Sequence, residues 1–223
     1  MKFNWLLSML LSIFLVSCYD SEIKSEKRIY ITGLVMDTSG NPVPNITVGY
    51  LENDALLGYG ITNDVGKYEF YSFDTFDTIY TLECNKILAD FNSGYTEHAM
   101  EVATVNTIVG NYLEQDFSIE RVSVLDVSII KTSTTNETVS CYVRYPEPLC
   151  KSFYEDTILQ STDCFNEIDS EAVDLTTQVP EGSLNVTSVL GETAQLIYEF
   201  SDGVEHVVTI SLDQENTSYV LEY

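Results

Sequence analysis

Residues 29–70 read IYITGLVMDTSGNPVPNITVGYLENDALLGYGITNDVGKYEF, and the spacing of their turn residues decides the fold. Ile29, Ile31 and Leu34-Val35 form a β-rich run, and Asp37-Thr38-Ser39-Gly40-Asn41-Pro42 carries the turn chemistry that must end it. Val43, Ile46, Val48 and Tyr50 supply a second strand, and residues 60–62 a short third. Asn63-Asp64-Val65-Gly66 is a turn with Gly where positive φ costs little, after which Tyr68 and Phe70 fall on one face of a fourth strand. Hairpin follows hairpin, as in an antiparallel sandwich.

The spacings are G-x-V-x-D at Gly33, Val35 and Asp37, then G-x-P-V-P at Gly40, Pro42, Val43 and Pro44, then T-x-x-x-G-x-Y-x-F at Thr62, Gly66, Tyr68 and Phe70. On these residues the segment resembles the carboxypeptidase regulatory-like domain. The resemblance implies a transthyretin-type β-sandwich of about seven strands over residues 29–121, with no zinc site or nucleophile, serving as a spacer or interaction module. Residues 78–83, 98–105 and 116–120 follow the family's later strands loosely. Related sandwiches in surface fibres form an isopeptide from a lysine on the first strand; Met36 stands in that neighbourhood, so no such crosslink is implied.

Residues 122–223 read as a second, immunoglobulin-like antiparallel sandwich. Val122-Ser123-Val124-Leu125-Asp126-Val127-Ser128-Ile129-Ile130 alternates, and Val139, Cys141, Val143 and Tyr145 continue at period two. Residues 184–189, 193–200, 204–212 and 218–223 are further strand candidates, with Ser201-Asp202-Gly203 as a hairpin turn. Between them, residues 146–176 are irregular and rich in Pro and Cys, and are expected to form a long disulfide-pinned excursion with a helical turn. The expected fold is therefore all-β, two sandwiches in tandem.

Before the first sandwich, Met1-Lys2-Phe3 leads into an apolar run that stops at Ser17-Cys18, too short for the ~20 apolar residues of a membrane span and built like a secretory signal peptide. Leu15-Val16-Ser17-Cys18 resembles the bacterial lipobox. That resemblance implies residues 1–17 as a lipoprotein signal peptide, acylation of Cys18, and a membrane partner held through several acyl chains, since one chain anchors only marginally. Tyr19 stands where an aspartate would retain a lipoprotein at the inner membrane, so the expected place is the outer membrane of a Gram-negative cell, facing the periplasm or the exterior. Residues 18–28 read as a polar tether.

The chain carries 35 acidic and 10 basic residues, a net charge of −25, which repels phosphate backbones and excludes nucleic acid as a partner. Beyond Cys18 there remain Cys84, Cys141, Cys150 and Cys164, in an oxidising compartment. Cys150 and Cys164 flank KSFYEDTILQSTD, so a local staple contributing ~3 kcal/mol by loop closure is the simplest pairing. Cys84 then either reaches Cys141 or stays buried, and burial is the expectation.

No catalytic constellation, metal motif or cofactor motif appears. His98 and His206 stand alone in strand-like settings and are expected to face solvent or a sheet edge. There is no H-E-x-x-H, G-x-S-x-G or P-loop. Paired-carboxylate hydrolysis is a distant alternative, because it needs a cleft that two small sandwiches provide poorly. One cluster stands out. YSFDTFDTIY, residues 71–80, sets Tyr71, Phe73 and Phe76 beside Asp74 and Asp77, the composition of a saccharide platform. The competing reading, favoured on sequence, has these aromatics filling the core under a loop. The sequence thus points to a non-enzymatic, lipid-anchored interaction or structural module with a protein or glycan partner, and alternatively to a glycan-binding lipoprotein in nutrient capture.

Overall fold

The computed structural model describes residues 23–75, 79–86, 94–103, 111–134 and 138–223. Two sandwiches are present, each around its own core. In the first, β1 (Ile23–Asp37) pairs with β4 (Lys67–Thr75) on one side and with β7 (Tyr112–Glu114) and β8 (Phe117–Ile119) on the other. Against this sheet packs a second one in the order β12 (Ile158–Cys164), β11 (Leu149–Glu155), β6 (Glu97–Ala103), β5 (Ile79–Cys84), β2 (Thr47–Glu52) and β3 (Ala55–Ile61). Ile29, Ile31, Val48, Tyr68, Leu82 and Phe117 fill the space between them.

The second sandwich sets β15 (Glu181–Val189), β9 (Val122–Ile130) and β18 (Asn216–Glu222) against β13 (Glu167–Asp169), β10 (Val139–Pro146), β16 (Thr193–Phe200) and β17 (Glu205–Ser211). The short β14 (Val173–Leu175) also pairs with β10. Leu125, Val127, Val143, Leu196 and Leu212 are fully buried there, inward positions of the predicted alternation.

The turn motifs of residues 33–70 have concrete duties. The Asp37 carboxylate accepts hydrogen bonds from the backbone N–H of Ser39 and Asn41 at 2.9 and 2.8 Å and from the Asn41 amide, which closes the turn and holds the acid below its ordinary pKa. Asn63 Oδ1 accepts from Val65 and Lys67 N–H, both at 3.0 Å, and Gly66 completes that turn at φ +74°. Gly33 marks a corner. β1 runs parallel to β7 through Thr32, then parallel to β8 from Val35, and at the change the Gln115 carbonyl lies against the Gly33 Cα. Leu34 N–H donates to Asp116 Oδ1 at 2.8 Å, and the Tyr68 hydroxyl donates to the Gln115 carbonyl at 2.5 Å.

Three features differ from the sequence reading. β1 begins at Ile23, inside the stretch read as tether, because pairing with β4 uses backbone groups and asks for no apolar side chain. Pairing is not wholly antiparallel: β1 with β7 and β8, β6 with β11 and β9 with β18 are parallel. Residues 146–176 are neither irregular nor helical. β10 continues into β11 and β12 into β13 as one bent ribbon, tied at the bend by Glu147 N–H to Asn166 C=O at 2.8 Å and Phe165 N–H to Leu149 C=O at 2.9 Å. One end of the ribbon belongs to the second sandwich, while its tip joins the six-stranded sheet of the first through β11 and β6.

Cys150 and Cys164 lie directly opposite on the ribbon and form a disulfide, the pairing expected from their spacing. Cys84 and Cys141 are free thiols buried in different cores, so they do not meet. Burial raises both pKa values, that of Cys141 to about 11. A thiol reagent at pH 8 is therefore expected to leave Cys84 and Cys141 unlabelled in the native chain and to label both after denaturation. Rapid native labelling of either would mean that its core opens readily.

Candidate functional site

Alternation along β4 sends Tyr68, Phe70 and Ser72 inward and Glu69, Tyr71 and Phe73 outward. Tyr71 is 66% exposed and Phe73 41%, so neither fills a core under a loop. Asp74 belongs to β4, but its side chain, and Phe76 and Asp77 altogether, lie outside the described residues, as do Cys18 and the rest of residues 1–22.

The sheet adds two residues that the local sequence did not single out. Tyr30 on β1 is directly opposite Tyr71, and Tyr112 on β7 is directly opposite Tyr30. The ring centroids of Tyr71 and Tyr30 are 5.1 Å apart and those of Tyr30 and Tyr112 6.0 Å, a row of phenols running across three strands. The ring planes are tilted by 51° and 31°, so neighbouring phenols pack against one another. The available signal was phase: Tyr30 falls between the inward Ile29 and Ile31, as Tyr71 follows the inward Phe70.

Carboxylates fix two rings of the row. The Tyr30 hydroxyl donates to Glu69 Oε2 at 2.7 Å, and the Tyr112 hydroxyl donates to Glu114 Oε2 at 3.0 Å. Lys67 Nζ lies 2.6 Å from Glu69 Oε2. Hydrogen bonding to the carboxylates raises the pKa of both phenols, while Lys67, then Tyr30, lowers that of Glu69. Next to the row, the Arg28 guanidinium sits 5.2 Å from the centre of the Phe73 ring. Among the described residues, Lys67 is ion-paired with Glu69 and Arg28 lies over Phe73 beside the row.

The opposite sheet carries a shallow polar hollow of about 500 Å³ on its outer face, with Glu83, Glu101, Lys151, Phe153 and Asp163 in its lining. The histidines occupy structural places. His98 is half-buried, not solvent-facing: its ring meets Phe117 edge-on at 5.3 Å, Nε2 lies 3.2 Å from Ser152 Oγ on the ribbon, and burial lowers its pKa. His206 stacks on Tyr198 at 5.0 Å. Among the described residues no group of three or more His, Cys, Asp or Glu is placed to hold a metal ion.

No protein-family model matches the chain, and no curated protein matches it. Solved structures give distant likenesses. The Bacillus anthracis TIE protein is 11% identical over 88% of this chain and 34% of its own, with a TM-score of 0.35. A Streptococcal ancillary pilin is 11% identical over 89% of this chain and 63% of its own, at 0.34. The chlorocatechol 1,2-dioxygenase of Pseudomonas putida is 12% identical over 43% of this chain and 61% of its own, at 0.31. The chain thus spans about a third of the first of these proteins and under two thirds of the other two. At such values the likeness bears on no functional question, and the all-β tandem architecture rests on the strand pairing of the chain itself.

Proposed function

We propose that this chain is a lipid-anchored envelope protein, without chemistry of its own, that holds a binding face away from the membrane on a two-sandwich support. The observation that carries the reading is the row of tyrosines across β4, β1 and β7, with Tyr71 and Tyr112 exposed, Tyr30 half-buried between them, and Tyr30 and Tyr112 held by Glu69 and Glu114. Residues spared from both cores and fixed by hydrogen bonds form a surface suited to contact. The first sandwich is read as a carboxypeptidase regulatory-like module, a reading supported by the duties of Gly33, Asp37, Gly66 and Tyr68 in its turns and corner. The anchor is Cys18, and the outer membrane of a Gram-negative cell is its place. A second reading, glycan capture, is favoured by the same aromatic row.

The address is tested by feeding labelled fatty acid to cells that make the wild-type chain or Cys18→Ser. The wild type is expected to take up label and to fractionate with the outer membrane, and Cys18→Ser to accumulate as an unlabelled, uncleaved precursor. Equal labelling of the two proteins refutes the lipobox.

A further inference from the structure

We propose that the ribbon carries a site of thiol exchange: an external thiolate attacks Cys164 Sγ, Cys150 departs, and His98 Nε2 exchanges a proton with the departing sulfur. The observation behind it is a row. Cys84 on β5, His98 on β6, Cys150 on β11 and Cys164 on β12 are register partners in succession, so one imidazole and three cysteines line up across four neighbouring strands.

That order sets the direction of attack. A thiolate displaces one sulfur from another in line, entering opposite the bond that breaks. The line onto Cys150 Sγ passes through His98, and Cys150 is only 9% exposed. The line onto Cys164 Sγ opens past β12, the edge strand of the six-stranded sheet, where Cys164 is half-buried and the residues from Ile158 to Asp163 are all exposed. Cys164 is therefore the sulfur attacked and Cys150 the one released.

The released sulfur meets the imidazole at once. His98 Nε2 lies 3.8 Å from Cys150 Sγ and 3.2 Å from Ser152 Oγ. When the S–S bond breaks, its electron pair stays on Cys150, and an imidazolium at His98 offsets that charge or hands over its proton. A second external thiol completes the opening, so that two thiols become one disulfide and the protein cystine becomes two thiols. In the reverse direction Nε2 takes the Cys150 proton, and the thiolate so formed attacks Cys164 and expels the external thiol. Burial lowers the His98 pKa, so at pH 7 the ring is neutral and able to accept. Of the titratable groups that face it, Cys150 comes from β11 and Cys84 from β5, whereas β8 faces it with the uncharged Phe117. Cys84 takes no part, because the strand of His98 stands between it and Cys150 and a disulfide spans Cα atoms less than about 7 Å apart. The chain is the substrate of this exchange, which leaves the non-enzymatic reading intact.

The full-length chain is reduced with dithiothreitol, freed of reductant in acid and started toward closure with oxidised glutathione, and acid-quenched samples are mapped by peptide mass. Dithiothreitol is expected to open Cys150–Cys164 while the buried Cys84 and Cys141 stay unlabelled. Glutathione is expected to appear first on Cys164. His98→Asn is expected to slow closure of that adduct about tenfold or more at pH 7 and to approach the wild-type rate at pH 9, where hydroxide removes the Cys150 proton unaided. A ring needed only for packing would leave a defect that pH does not mend. A measurement on the wild type needs no variant to fold: closure should slow about threefold or less from pH 8 to pH 7, against about eightfold for an unassisted thiol of pKa ~8.5.

A disulfide that opens only once Cys84 and Cys141 become reactive overturns the site, since reduction then follows unfolding. Glutathione found first on Cys150 overturns the order of attack. Closure at pH 7 that His98→Asn leaves unchanged, or a wild-type rate with the pH slope of an unassisted thiol, overturns the role of His98.

Discussion

Gly33→Ala is expected to remove about 3 kcal/mol or more from the stability of the chain, at or beyond the upper end of the usual cost of overpacking. A Cβ at this position would lie 1.7 Å from the Gln115 carbonyl oxygen, 2.6 Å from its carbon and 2.9 Å from the Tyr68 hydroxyl. A flexible side chain would swing aside, but a carbonyl on a held backbone cannot. Gln115 N–H donates to Thr32 C=O at 3.0 Å, and its carbonyl accepts from Tyr68. Relief therefore requires β1 to part from the segment joining β7 and β8, which uncovers Phe117 and Ile119 in the first core. A domain of ordinary stability holds ~5–15 kcal/mol in total, so the variant should lose much of its margin in a chemical denaturation series. A change below about 1 kcal/mol would show that the corner opens cheaply and that the motif glycine serves some other end.

Ending the chain at Arg121 is expected to be as damaging, although the first core consists of residues from Ile29 to Ile119. Residues 97–103 of β6 pair with β5 on one side and, residue for residue from Leu149↔Glu97 to Glu155↔Ala103, with β11 on the other. Truncation strips that second side and takes Tyr154 away from the core. Each ladder hydrogen bond is worth roughly 1 kcal/mol net, and a naked edge strand invites pairing with another chain. Residues 23–121 should therefore self-associate in light scattering, and their β6 amides should exchange rapidly with deuterium, whereas the full chain stays monodisperse with β6 protected. A monomeric fragment with a cooperative transition and protected β6 amides would restore the independent domain that the sequence alone suggests.

The sheet shared through β11 shows what the sequence makes legible. Alternation declares the face of a residue, so the inward Ile29, Ile31, Val127 and Leu196 and the turns at Asp37 and Asn63 were readable from composition and period. Alternation does not name a strand's neighbour. Nothing in LCKSFYE announces that it pairs with EHAMEVA, some 50 residues earlier and in the segment read as the first module. β12 escaped notice for a related reason: from Ile158 to Asp163 every side chain of this edge strand is exposed, which leaves no apolar period to detect. The tyrosine row was half legible, since Tyr71 lies in a conspicuous local cluster, whereas Tyr30 and Tyr112 join it only through sheet register.

The shared ribbon also decides how the protein bears load. The chain passes between the sandwiches three times, from β8 to β9, from β10 to β11 and from β12 back to β13. Two bodies joined by one strand swivel about it, whereas a link of three crossings, two of them hydrogen-bonded to each other as one ribbon, resists bending and twisting more than a single strand does. The joint is reinforced by Ser188 Oγ donating to the Pro146 carbonyl at 2.8 Å and by Glu97 N–H donating to the Pro148 carbonyl at 2.9 Å. Torque applied to either sandwich therefore passes to the other through the ribbon instead of being dissipated at a single-strand hinge.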